Sequence, residues 1–227
     1  NPLLMLAVYT FVFSVVFQTR WDRSGDEPQL QFALILFSGL IVHGMVAEVL
    51  TRSPGLVLQN ANYVKKVVFP LEVLPIVITV TALINACVSY VLLILAFGAV
   101  NGVVHGTAIL MPLVLLPYMA FLLGVGWILA SLGVYFRDVS QLTGLLSTLL
   151  LFVSPIFFPM DALPELFRPL FLANPLSFVI EQTRDLLIWG NQPDWAALGA
   201  YYVVAFAIAA AGFYGFQKTR KGFADVI

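Results

Sequence analysis

Gly133-Val134-Tyr135-Phe136-Arg137-Asp138-Val139-Ser140 is a short charged step between two long apolar runs. Residues 108–132 precede it and residues 141–160 follow it, and neither run contains Asp, Glu, Lys or Arg. Each approaches the roughly 20 residues that a helix needs to cross about 30 Å of hydrocarbon. Tyr135, Phe136, Arg137 and Asp138 therefore read as a tight turn at one face of a membrane. The expected class is an all-α integral membrane protein.

Composition agrees with that reading. The 227 residues are 61% hydrophobic and 10% charged, whereas a soluble domain carries about 25% charged residues. A net charge of −1 supplies no basic field for a phosphate backbone, which argues against nucleic acid as a partner. The single cysteine, Cys87, cannot form an internal disulfide and reads as a small buried hydrophobe. No polar stretch is long enough to fold alone, so one domain over 1–227 is expected.

Six spans are expected, at 3–17, 30–50, 72–97, 108–133, 141–159 and 196–216. The first is short and lacks the basic flank and small-residue cleavage site of a signal peptide. It reads as a first membrane helix whose cytoplasmic start is missing. The segments after spans two, four and six hold Arg52, Lys65, Lys66, Arg137, Lys218, Arg220 and Lys221. The segments after spans one, three and five are richer in acids, with Asp22, Asp26, Glu27, Asp161, Glu165, Glu181, Asp185 and Asp194. The positive-inside bias then places both termini in the cytoplasm.

Two connections are longer than a plain turn requires. In residues 52–70, Ser53-Pro54 reads as a helix N-cap with proline at the first position. Asn60 and Asn62 interrupt that helix, and Tyr63-Val64-Lys65-Lys66 forms a second polar turn. Residues 160–195 are too apolar for a free loop, and Pro159, Pro164, Pro169 and Pro175 cut them into pieces. Leu176, Val179, Ile180, Thr183 and Leu187 recur at helical spacing, with Glu181, Arg184 and Asp185 opposite, which is an amphipathic helix of about four turns. Residues 163–172 read as its helical partner. The pair suggests a re-entrant hairpin in the outer leaflet, or else a helix lying at the interface.

Catalytic chemistry is not visible. The chain has no phosphate-binding G-x-x-x-x-G-K-[ST] loop, no H-E-x-x-H, no C-x-x-C and no triad spacing, so neither bound ATP nor a metal site is expected in it. His43 is the only titratable group well inside a span, and it reads as hydrogen-bonding a neighbouring helix rather than relaying protons. Aromatic surface, in contrast, is abundant. Tyr9, Phe13 and Phe17 fall at i, i+4 and i+8, one stripe of span one, and Phe152, Phe157 and Phe158 end span five. Such faces either stack on sugar rings or face lipid.

These pieces together resemble the membrane subunit of ABC transporters of the ABC-2 type, in the branch that exports polysaccharide or teichoic acid. The likeness is carried by Asn1-Pro2-Leu3-Leu4, by Asn62-Tyr63-Val64-Lys65-Lys66-Val67-Val68-Phe69-Pro70 with Leu74-Pro75, and by the segment quoted first. Ser154-Pro155-Ile156-Phe157-Phe158-Pro159 and Asn174-Pro175-Leu176 complete it. The resemblance implies a homodimer around a channel, driven by two copies of a cytoplasmic ATPase that binds ATP and Mg. It implies that Asn60, Asn62, Tyr63, Lys65 and Lys66 form a coupling helix on that ATPase. It further implies that Tyr9, Phe13, Phe17, Phe152, Phe157 and Phe158 line the path of a lipid-linked glycan. Leu176, Val179, Ile180 and Thr183 would belong to an outer gate. The family has an interfacial helix before span one, and the stretch from Asn1 is expected to start after it. Export of a drug or small lipid by the same family is the nearest alternative. A membrane transferase would need clustered acids or basic residues at the interface, and an ion-coupled carrier would need midplane charges.

Overall fold

The computed structural model describes residues 29–62 and 69–226, together with Leu4, Val8 and Phe11. Among these the chain is helical and contains no strand. The principal helices are α1 (Gln29–Arg52), α2 (Val73–Asn101), α3 (Met111–Tyr135), α4 (Val139–Phe152), α5 (Arg168–Leu172), α6 (Pro175–Arg184) and α7 (Trp195–Thr219).

Four stretches are long and apolar enough to cross a membrane: Leu30–Arg52, Val73–Asn101, Gly106–Tyr135 and Trp195–Gly222. They match the expected spans two, three, four and six to within a few residues at each end. The expected span at 3–17 lies outside the described residues. The expected span at 141–159 differs. Its helix is Val139–Phe152, 14 residues, or about 21 Å at 1.5 Å per residue. Pro155 is the reason. It has no N–H for the helix ladder and disfavours helical backbone at the residue before it, so the helix stops at Phe152 and residues 153–159 are not helical. The expected partner helix at 163–172 is also shorter. Met160–Ala162 forms one 3₁₀ turn and only Arg168–Leu172 is α-helical.

The four long helices differ in how they are used. Phe32, Ala33, Leu34, Ile35, Leu36 and Phe37 of α1 are all buried, so this part of the helix is enclosed on every side. On α2, Val77, Val80, Ile84, Val88, Val91 and Leu95 form an exposed stripe that suits lipid or another apolar chain. Cys87 is exposed on α2 rather than buried, a correction to the sequence reading. His43 on α1 is half-buried.

The chain forms two compact units. The first comprises Asn1–His43, Asn85–Val114 and Leu151–Asp194, and the second Gly44–Ile84, Leu115–Leu150 and Trp195–Ile227. In the second unit α3 and α7 meet backbone to backbone. A Cβ at Gly124 would lie 2.6 Å from the Ile208 carbonyl oxygen, and one at Gly212 would strike the Gly124 carbonyl. Small residues at such crossings let membrane helices gain packing contacts that the hydrophobic effect does not supply between them. In the first unit, α6 continues through a π-helical turn, Asp185–Trp189, and stops at Gly190, where φ is 69°. Thr107 donates a hydrogen bond of 2.6 Å to the Leu186 carbonyl in that turn.

Candidate functional site

The broken end of α4, in the first unit, has the most developed chemistry. Ending a helix at Phe152 frees carbonyls that would otherwise have accepted bonds from the next turn. Ser154, Pro155 and Ile156 are buried, so those carbonyls must find partners within the protein. Two side chains of the 174–184 segment supply them. Asn174 Nδ2 donates to the Val153 carbonyl at 3.0 Å and to Ser154 Oγ at 2.9 Å. Its Oδ1 accepts the Leu176 N–H at 3.0 Å, so the same amide also caps α6, with Pro175 at the first helical position. Arg184 Nη1 donates to the Pro155 carbonyl at 2.6 Å and Nη2 to the Ile156 carbonyl at 3.0 Å.

Arg184 is 1% exposed. Burial pulls its pKa down to about 10, while the Glu181 carboxylate, 3.3 Å from Nη1, opposes the change. An arginine keeps its charge inside proteins, and two carbonyl dipoles and the Glu181 carboxyl group compensate its burial. Gly39 of α1 leaves room for it, since a Cβ there would lie 3.3 Å from Arg184 Nη2 and 3.4 Å from Ile156. The placement of Arg184 corrects the sequence reading, which put it on the polar face of α6. Helical spacing carried a signal: Arg184 follows Leu176 and Ile180 at i+8 and i+4, on the edge of the apolar arc. Its partners, 28 and 29 residues away, left no such trace.

The aromatic residues of the expected span five lie around this break. Phe152 is 62% exposed, and Phe157 stacks on it at 5.9 Å between ring centroids, inclined by 27°. Phe158 meets Phe171 of α5 edge to face at 5.6 Å. Tyr9, Phe13 and Phe17 lie outside the described residues. Leu176, Val179, Ile180 and Thr183 are all buried, none more than 1% exposed. Thr183 Oγ1 donates back to the Val179 carbonyl at 2.7 Å. These four side chains pack the interior of the first unit.

The segment that decided the fold lies in the second unit, and its residues divide by role. Gly133 packs on the backbone of Pro54, where a Cβ would collide with the carbonyl. Val134 is buried. The Tyr135 hydroxyl donates to the Thr219 carbonyl at 3.0 Å, and its ring lies 6.1 Å from that of the fully buried Phe223. Phe136, Arg137 and Asp138 are exposed. Beyond the one-turn helix Leu56–Gln59, Asn60 caps the end, its Nδ2 donating to the Leu56 carbonyl at 2.8 Å. Asn62 is exposed, and Tyr63, Lys65 and Lys66 lie outside the described residues.

Where that segment returns, Glu72 accepts a 2.6 Å ion pair from Arg220, 148 residues away. Trp127 Nε1 donates to the Glu72 carbonyl at 3.0 Å. Burial alone would raise the Glu72 pKa, but a backbone hydrogen bond and the Arg220 charge hold it below the ordinary value. Neither this pair nor the docking of Phe223 was read from the sequence. Among the described residues, no group of His, Cys, Asp and Glu side chains is placed to hold a metal ion.

The pattern of the ABC-2 type transporter family matches residues 1–188. The O-antigen export system permease protein RfbA of Klebsiella pneumoniae is 27% identical over 230 residues, covering 100% of this chain and 85% of the relative. The protein of the same name from Myxococcus xanthus is 28% identical over 229 residues, with the same coverage. The polysialic acid transport protein KpsM of Escherichia coli is 26% identical over 186 residues, 80% of this chain and 70% of the relative.

Proposed function

Because the chain belongs to the ABC-2 type transporter family, we propose that it is the permease subunit of an ATP-driven exporter that carries a lipid-linked polysaccharide across the cytoplasmic membrane. The observation that carries this reading is end-to-end similarity to relatives named for O-antigen export, with a further relative named for polysialic acid transport. The permease works as a homodimer with two copies of a separate ATPase, which binds ATP and Mg. It lies in the inner membrane with both termini cytoplasmic.

Six spans then cross the bilayer. The fifth is α4 followed by the non-helical residues 153–159, and residues 160–195 form the external re-entrant hairpin. Asn60, Asn62, Tyr63, Lys65 and Lys66 meet the ATPase and transmit its motion. Tyr9, Phe13 and Phe17 of span one, with Phe152, Phe157 and Phe158 of span five, line the glycan path. Leu176, Val179, Ile180 and Thr183 form the core of the outer gate. Aromatic faces suit a sugar polymer because stacking is tolerant of position. By analogy with base stacking, each ring contributes on the order of 1–3 kcal/mol, enough to guide a sliding chain without trapping it.

Deleting the gene and scoring surface glycan by gel and lectin binding tests the function. Lipid-linked glycan should accumulate inside the cell and return to the surface on complementation. Normal surface glycan together with new drug sensitivity would overturn the substrate reading. Cysteine labelling with an impermeant reagent tests topology: position 185 should react in intact cells and position 65 should not.

A further inference from the structure

The fifth segment poses a physical problem that α4 does not solve. A 14-residue helix covers about two thirds of the hydrocarbon thickness, and the chain after it is not helical. Non-helical backbone at that depth requires its carbonyls to be satisfied by protein, since an unsatisfied group costs several kcal/mol. Val153, Pro155 and Ile156 each have a carbonyl held by Asn174 or Arg184. The two side chains sit at opposite ends of one short helix, α6, and its capping bond orients one of them.

We propose that Arg184 and Asn174 are positioning residues of the transport path. Together they clamp the unwound segment Val153-Ser154-Pro155-Ile156 to α6 and so fix the direction in which Phe157 and Phe158 leave the break. This inference rests on the reading of Phe152, Phe157 and Phe158 as path residues. The clamp explains why the chain turns back at Ile156, whose N–H bonds the Ser154 carbonyl at 2.7 Å, and why Phe157 lies against Phe152. It also explains the choice of arginine. Two guanidinium nitrogens reach two carbonyls at once from a planar fork, whereas a lysine ammonium is a single compact head. Glu181, one turn back on α6, lies 3.3 Å from the same Nη1 that donates to the Pro155 carbonyl. Any movement of α6 thereby moves the aromatic pair, which ties the hairpin to the path lining.

The test uses full-length permease co-expressed with its ATPase, in a Cys87→Ser background carrying Phe157→Cys. Labelling by a membrane-impermeant maleimide reads the position of residue 157, and Val103→Cys, in an exposed loop, serves as the reference. Arg184→Gln should change the 157-to-103 labelling ratio by about tenfold, the equivalent of one lost charge-assisted hydrogen bond. Asn174→Ala should change it less, and Arg184→Lys should recover part of the loss. The double variant Arg184→Gln/Asn174→Ala should fall short of the summed effects, because both side chains hold one segment. An unchanged ratio in Asn174→Ala and Arg184→Lys overturns the proposal even where Arg184→Gln does not accumulate. A changed ratio with undiminished glycan export upholds the clamp and overturns the path reading instead.

Discussion

Two arginines, one in each compact unit, make the same kind of long-range connection under opposite conditions. Arg184 is 1% exposed and bridges two backbone carbonyls and a carboxylate. Arg220 is 39% exposed and pairs with Glu72, itself 23% exposed. Removing Arg184 strands carbonyls where water cannot replace it, whereas water can take over from Arg220. The difference teaches that the worth of a charge in this protein is set by what its removal leaves unpaired, not by the attraction itself.

The sharpest way to break that comparison is to delete both cations. Arg184→Met should destabilise the detergent-solubilised protein by about 2–5 kcal/mol, since each stranded carbonyl costs roughly 1–3 kcal/mol. Arg220→Met should cost about 0–1 kcal/mol. Thermal unfolding of the two variants side by side checks this, and equal losses would remove the distinction drawn between the units.

A smaller effect probes the glycine crossing of the second unit. Gly212→Val should cost about 1–3 kcal/mol, because the added side chain meets the Gly124 backbone. Gly215 has nothing within 4 Å of where a Cβ would stand. Gly215→Ala should therefore be neutral or stabilising by up to about 1 kcal/mol through helix propensity. Gly212→Val should lower the melting temperature and Gly215→Ala should not.

The smallest expected effect is the pH dependence of the Glu72–Arg220 pair. Glu72 has a pKa below its ordinary 4.5 in the folded protein. Its contribution is therefore complete above that value and fades as the pH falls through the lowered one. Melting temperatures of the parent and Glu72→Gln should differ slightly near neutral pH and converge in acid. A gap that widens in acid would contradict the sign.

Much of the architecture was legible in the chain because hydrocarbon imposes a simple demand. A span must be long, apolar and uncharged, and four of the expected spans coincide with long helices. The turn at Phe136-Arg137-Asp138 was legible for the same reason, since charges cannot remain inside. The length of α4 was only partly legible. Pro155 and Pro159 stood in the sequence, but the absence of charge through residue 160 masked the break they cause. The amphipathic helix at 176–187 was read from its period, while the depth of Arg184 within it was not.

The sequence by itself thus determined the four long apolar helices and the charged turn after α3. Only the tertiary structure decided how the interruptions are satisfied. Arg184 can be buried because Pro155 and Ile156 present carbonyls to it. Glu72 finds Arg220 from the far end of the chain. Gly124 and Gly212 matter because two backbones touch there. Each depends on a partner distant in sequence. Hydrogen bonds and close packing are satisfied in space, so local composition and periodicity carry no record of those partners.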